Sequence, residues 1–165
     1  MNMSAGRRQA PASHHSFEKV SSQEEHSQEE QWRKTLQEFF TTANYPEKVL
    51  QFERMGMEDF KIFNQQLKDF IKESAKNVNS TKMRKIFEII KNAKDGRELL
   101  LAIPRLAYIV GREDIRVRRD SVGLVITFLS DSILALQSNE DRAGFKGIQK
   151  CAEAMVAYQK YYSNK

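Results

Sequence analysis

Apolar side chains recur at intervals of three and four residues along most of this chain, and few residues interrupt the pattern. Such spacing places apolar side chains on one face of a helix. The 165 residues include only three prolines and seven glycines, too few turn formers for a sandwich or barrel of many hairpins. The sequence therefore predicts an all-α fold, a compact helical bundle of about five to six helices with a flexible polar N-terminal tail.

Proline and glycine indicate where the predicted helices begin and end. Pro46 ends the first apolar stripe and suits the start of a short second helix. Further along the chain, residues 95–96 (Asp-Gly) close another helix. Pro104 removes a backbone donor and is expected to kink the helix at residues 99–111 or to reset its start. Because residues 99–111 are apolar nearly all round, we expect that helix to be the most buried.

The first 28 residues differ in composition from the rest of the chain. They are rich in Ser, Gln, Glu and His, and they contain few large apolar side chains. Such a segment cannot bury enough surface to offset the entropy lost on ordering it. We therefore expect a disordered tail at residues 1–28 and a single helical domain at residues 29–165, since this length suits one domain.

Several features of the sequence bear on the compartment. No apolar run approaches the roughly 18–20 residues that span a bilayer, so no membrane insertion is expected. The basic N-terminus lacks an apolar stretch behind it and so does not resemble a secretory signal. The chain has one cysteine, Cys151, which argues against an oxidising compartment. We expect a cytoplasmic protein.

The side chains that commonly carry catalysis are scarce in the predicted helical domain. All histidines of the chain fall in the predicted tail: His14, His15 and His26. A metal site needs ligands held at fixed geometry, which such a tail does not provide. Cys151 lies at the edge of the last apolar stripe, which favours packing, and Glu113 and Asp114 are interpreted as solvated surface. We expect no enzymatic activity, no catalytic residue, no metal and no cofactor.

Positive charge is concentrated in residues 79–119, which hold 11 basic and 5 acidic side chains, whereas the whole chain carries a net charge of +5. A local basic surface attracts a polyanion. Arg84 and Lys91 are seven residues apart, on the same side of one predicted helix. If their segment is helical, Arg112, Arg116 and Arg119 share a face, and the planar fork of arginine suits phosphate. The alternative is a solvated face without a ligand.

Three segments carry a resemblance to a known family: residues 80–87 (STKMRKIF), 103–112 (IPRLAYIVGR) and 154–162 (AMVAYQKYY). The second and third are fairly specific together, whereas the first alone is weak. They resemble the small helical subunit of type III-A CRISPR–Cas effector complexes, known as Csm complexes. The resemblance covers residues 79–165.

The resemblance implies an antiviral role without catalysis. Several copies of such a subunit stack as a filament beside the backbone and large subunits of the complex, and they lie along the guide RNA and target RNA. Because the guide reads sequence by base pairing, the protein only has to hold phosphates and 2′-hydroxyls. The RNA contacts implied at matching positions are Lys82, Arg84, Arg112 and Lys160. Charge alone adds Lys91, Arg116 and Arg119.

Two other functions fit the same composition. A DNA-binding helical regulator would need a recognition helix, for which the helix beginning near Thr81 is the candidate. A protein-only helical adaptor would bind through apolar anchors and would be much less sensitive to salt.

Overall fold

The computed structural model describes the backbone of residues 15–163 and the side chains of residues 22–163. The described chain contains seven α-helices and no strand. The helices are α1 (His15–Phe40), α2 (Tyr45–Leu50), α3 (Met57–Phe70), α4 (Ser80–Lys91), α5 (Gly96–Gly111), α6 (Arg116–Leu134) and α7 (Arg142–Ser163). A π-helical turn, Ile71–Ala75, continues α3. The predicted all-α bundle is thus confirmed, with one helix more than the upper number expected.

Helix α6 forms the centre of the bundle, and all side chains at residues 121–129 are buried. It contacts α1, α2, α5, α7 and the π-helical turn. An added Cβ at Gly123 would overlap the Trp32 ring, so this glycine lets α1 approach closely. The expectation that α5 is the most buried helix is wrong, because Leu101 and Tyr108 on its outer side face solvent.

An aromatic cluster fills the core where α1, α2, α3 and α6 meet. Phe40 is at its centre, with its ring centroid 5.1 Å from that of Phe128 and 5.4 Å from that of Phe63. Tyr45 and Phe70 also pack against Phe40, each with centroids 5.8 Å away. All five rings are buried. Packing of this kind fixes the relative positions of four helices through a single side chain.

Beside this cluster, the Asp131 carboxylate joins three helices. Arg33 donates two hydrogen bonds to it, from Nε at 3.0 Å and from Nη2 at 3.1 Å. Tyr45 donates a third from its hydroxyl at 2.7 Å. Burial, followed by the hydrogen bond and charge of Asp131, raises the pKa of the Tyr45 hydroxyl well above its usual value, so it remains a donor.

Helix α1 begins well before the residue predicted for it. The structure places His15 to Gln28 in a helix, whereas residues 1–28 were expected to be a disordered tail; residues 1–14 lie outside the described part. Gln28 Nε2 and Trp32 Nε1 donate to Asp120 Oδ1 at 3.2 and 3.0 Å, which fixes the helix against α6. Its side chains at residues 22–27 are exposed, so this half of α1 buries little, as the composition indicates. His26 lies on this helix beside Glu30.

Helix α5 runs from Gly96 to Gly111 with Pro104 inside it. Of the two effects expected of this proline, the reset of the helix start is wrong, and the kink stays a prediction. Helix α7 packs antiparallel to α4. Gln149 Nε2 donates to the Lys91 carbonyl at 3.2 Å near one end, and Gln159 Nε2 donates to the Val78 carbonyl at 2.6 Å near the other.

None of the described helices is long and apolar enough to cross a membrane.

Gly147 brings α7 against the end of α2, and we expect its replacement by alanine to be destabilising. A Cβ at this position would lie 2.5 Å from the Val49 carbonyl oxygen and 2.8 Å from that of Leu50, and these backbone atoms cannot rotate away. Gly147→Ala should therefore lower the free energy of unfolding by about 2–3 kcal/mol in a urea titration.

The matched control is Gly111→Ala at the end of α5, where a Cβ would meet nothing within 4 Å. This variant should be neutral or more stable by up to about 1 kcal/mol, because alanine favours helix. Equal effects of the two substitutions would contradict the close approach of α7 to α2.

Candidate nucleic-acid interface

A basic groove runs between α4 and α5. We call it the α4–α5 groove, and its lining residues are Asn79, Thr81, Lys82, Lys85, Ile89, Pro104, Arg105, Tyr108, Ile109 and Arg112. Both helices have capped starts: the Asn79 side chain accepts from the Lys82 amide at 2.7 Å, and that of Asp95 accepts from the Glu98 amide at 2.9 Å. These caps fix the first turns of both helices.

The groove has an apolar floor and a cationic rim. Ile89 and Ile109 are buried, whereas Lys85, Arg105 and Arg112 are exposed. Among the side chains of residues 22–163, no carboxylate forms an ion pair with any of these three cations. Three cations without a carboxylate partner in one concave surface raise the local potential for an anion.

Lys82 is the fourth cation of the groove, and it forms an ion pair with Glu113. The Glu113 side chain is 8% exposed, so its interpretation as solvated surface is wrong. The loop after α5 turns inward at this point, since the Glu113 amide donates to the Val110 carbonyl at 3.0 Å. Burial, followed by the positive charge of Arg118, lowers the pKa of Lys82 from its usual value.

Tyr108 is the aromatic side chain of the groove. It is 61% exposed, although it lies in the middle of the rim. Arg112 lies four residues later, with its guanidinium carbon 5.7 Å from the centroid of the Tyr108 ring. Arg112 Nη1 also donates to the Tyr108 hydroxyl at 3.4 Å. The exposed ring offers a planar surface, and the guanidinium beside it offers positive charge.

The structure separates Arg84 and Lys91 from the α4–α5 groove. Lys91 Nζ lies 5.9 Å from the centroid of the Phe87 ring, on the flank of α4 that packs near α7. Arg84 lies two turns before Lys91 on this same flank, three residues from Phe87. Both are exposed. The sequence correctly placed the two side chains on one side of a helix, but this side lies about 100° around the helix axis from Lys85 and does not line the groove.

Arg112, Arg116 and Arg119 were expected to share a face only if their segment is helical, and the structure does not meet this condition. Helix α5 ends at Gly111, Arg112 caps it, and α6 starts only at Arg116. Arg116 lines an open cleft between α1 and α6, together with Gln28 and Asp120. Arg119 is half-buried, and its Nε atom has no hydrogen-bond partner within the described part of the chain.

Lys160 lies on the exposed side of the last turns of α7. The neighbouring Gln159 is buried and holds α7 against the start of α4. Thus, of the seven predicted contacts, the structure brings Lys82 and Arg112 into one groove and distributes the other five over the surfaces of α4, α6 and α7. RNA contact by any of the seven stays a prediction.

Three charged or aromatic residues of the groove were not among the predicted contacts: Lys85, Arg105 and Tyr108. The signal for them was present in the sequence as spacing. Lys85 follows Lys82 by three residues, and Arg105, Tyr108 and Arg112 recur at three and four residues along α5. Side chains at such spacing share a helix face. What the sequence did not show is that these two faces meet.

Other reactive groups of the described part offer no second site. The Cys151 thiol is fully buried, and burial raises its pKa above its ordinary value, which agrees with a packing role. Among the side chains of residues 22–163, no three His, Cys, Asp or Glu groups lie close enough together to hold a metal ion.

Comparison of the chain with known proteins finds no matching family model, no matching curated protein and no matching solved structure.

Proposed function

We propose that this chain is a non-catalytic RNA-binding protein that holds RNA in the α4–α5 groove. The observation that carries the proposal is the convergence of Lys82, Lys85, Arg105 and Arg112 on one concave surface, three of them without a carboxylate partner among the described side chains. Arginine forks and lysine ammonium groups are the usual donors to phosphate oxygens.

The shape of this surface favours RNA over duplex DNA. A recognition helix must protrude so that its first turns can enter the major groove. The first turns of helix α4, the candidate for that role, do not protrude but line the concave groove with α5 through Thr81, Lys82 and Lys85. A concave basic groove with an exposed ring is typical of proteins that track a single strand.

The resemblance of residues 79–165 to the small subunit of Csm complexes supports a more specific role. In this proposal the chain is a cytoplasmic subunit of a type III-A CRISPR antiviral complex. It stacks with copies of itself and contacts guide RNA, target RNA and the backbone and large subunits. The Arg84–Lys91 flank and Lys160 would then add contacts outside the groove.

Purification from the native host under mild salt tests this role. We expect the chain to co-purify with short RNAs of uniform length and with larger protein subunits. Recovery of the chain with proteins but without RNA would favour the adaptor function, and recovery with duplex DNA would favour the regulator.

Glu113 competes with RNA for Lys82, and we expect Glu113→Gln to strengthen RNA binding. Removing the carboxylate leaves Lys82 free for a phosphate. The dependence of log affinity on log salt should become steeper by about 0.7, the value for one additional single-strand phosphate contact. Affinity for single-stranded RNA should rise by about 3-fold or more, measured by fluorescence anisotropy.

Asp114→Asn provides the control, because Asp114 is exposed in the same loop and forms no ion pair among the described side chains. Asp114→Asn makes the same change in charge but should raise the affinity for RNA less. The slope of log affinity against log salt should steepen by less than the value of about 0.7 expected for one additional phosphate contact. Identical effects of the two variants would show that the ion pair with Glu113 does not limit phosphate binding by Lys82.

A further inference from the structure

We infer that Tyr108 stacks on an unpaired base, so that the α4–α5 groove binds single-stranded RNA in preference to duplex RNA. This inference rests on the proposed function and adds the form of RNA that the groove accepts. Exposed rings are uncommon in the described part, where Tyr108 and Tyr161 are the two large aromatic side chains that are more than half exposed. Of the two, only Tyr108 lies in the basic groove.

The surroundings of Tyr108 suit a base rather than a protein side chain. Pro104 and Ile109 extend the apolar surface next to the ring. Arg112 fixes the hydroxyl end through its contact at 3.4 Å, so the ring loses little freedom when a base stacks on it. The guanidinium is also planar and can continue the stacking surface beyond the ring.

Cations lie on both sides of the ring along α5. Arg105 precedes Tyr108 by three residues and Arg112 follows it by four, which is about 5–6 Å along the helix axis in each direction. A base stacked on Tyr108 would therefore have a cation available for the phosphate on either side. Because this arrangement offers charge and stacking together, it matches the way proteins bind single strands without reading their sequence.

Duplex RNA cannot use the ring in this way. Its bases are already stacked and paired, and a protein reaches mainly its phosphates and 2′-hydroxyls. The groove cations can still attract a duplex, but Tyr108 would then contribute nothing. We therefore attribute the preference of the α4–α5 groove for an unpaired strand to Tyr108.

The test compares Tyr108→Leu with Tyr108→Phe in the full chain. The probes are an unstructured 15-nucleotide RNA and a duplex RNA of the same length. Tyr108→Leu should weaken single-strand binding by about 10-fold and leave duplex binding within about 2-fold of the original chain. Tyr108→Phe keeps the ring and should stay within about 3-fold for both probes. The salt dependence should be unchanged in each variant, because no charge is removed.

Tyr161→Leu on α7 is the matched control. Tyr161 is 56% exposed, and its ring packs edge-on against Tyr162 with centroids 5.0 Å apart, outside the groove. Its replacement should leave both affinities unchanged. A 2-aminopurine base in the single strand adds a direct reading: its emission should change on binding to the original chain and to Tyr108→Phe, but not on binding to Tyr108→Leu.

Failure of this inference is distinguishable from failure of the proposed function. If the original chain binds neither RNA in a salt-dependent way, the proposed function is wrong. If it binds RNA but Tyr108→Leu weakens neither probe, or weakens both equally, RNA binding stands and the stacking role of Tyr108 is overturned.

Discussion

Reversing the charge of Lys85 and Arg112 together, by Lys85→Glu and Arg112→Glu, is expected to weaken binding of single-stranded RNA by on the order of 100-fold or more. Both side chains are exposed on the rim of the α4–α5 groove, and neither has a carboxylate partner among the described residues. A hydrogen bond to a charged group contributes about 1.5 kcal/mol or more, so the loss of two such contacts amounts to about 3 kcal/mol. The dependence of log affinity on log salt should become shallower by about 1.4.

The Arg84–Lys91 flank provides a control with the same change in charge. Arg84→Glu and Lys91→Glu alter the same helix and make the same total reversal, but they lie on the side of α4 that faces α7. If RNA occupies the groove, this pair should weaken binding much less than the groove pair. Equal losses would mean that affinity follows total charge alone, and the assignment of the groove would then be wrong. Thermal unfolding of both pairs should stay near that of the original chain, since exposed charges contribute little to stability.

The largest effect on stability is expected from Phe40→Ala. The Phe40 ring is fully buried and packs against four other aromatic rings from α2, α3 and α6. Its removal leaves a cavity that rigid neighbouring rings cannot fill, so the free energy of unfolding should fall by about 3–5 kcal/mol in a urea titration. Leu101→Ala on the outer side of α5 is the control, because Leu101 is 66% exposed. Its effect should stay within about 0.5 kcal/mol, and a similar loss in both variants would contradict the position of the aromatic cluster.

Apolar spacing was sufficient to predict the helices that bury a stripe. It failed for the first half of α1, where residues 22–27 are exposed and leave no stripe to detect. That half is joined to the bundle through Gln28 and Trp32, which donate hydrogen bonds to Asp120, 92 and 88 residues further along the chain. A hydrogen bond over such a separation has no local signature in the sequence.

Local composition also misidentified the central helix. Residues 99–111 are more apolar than α6, yet α6 is buried on all sides over residues 121–129. Burial depends on how many neighbours a helix has, and the small Gly123 lets α1 approach α6 more closely than a larger residue would. Apolar content by itself could not reveal this.

The sequence indicated that the candidate site is basic, but it did not indicate which residues come together to form it. The concentration of cations in residues 79–119 is evident from the sequence, and Lys82 and Arg112 do lie in one groove. The grouping of Arg112 with Arg116 failed because α5 ends at Gly111 and a loop turns Glu113 inward onto Lys82. Which faces of α4 and α5 meet is decided by packing against α6 and α7, and spacing along one helix does not contain that information.

We propose that this chain binds single-stranded RNA through the α4–α5 groove. The decisive measurement is the affinity of the full chain for an unstructured RNA and for duplex DNA over a series of salt concentrations. Lys85, Arg105 and Arg112 form no ion pair with any carboxylate that the structure describes. For these three cations we expect a slope of log affinity against log salt of about −2 for the RNA, with weaker binding of the DNA. RNA binding that is absent or indifferent to salt, or a clear preference for duplex DNA, would contradict the claim.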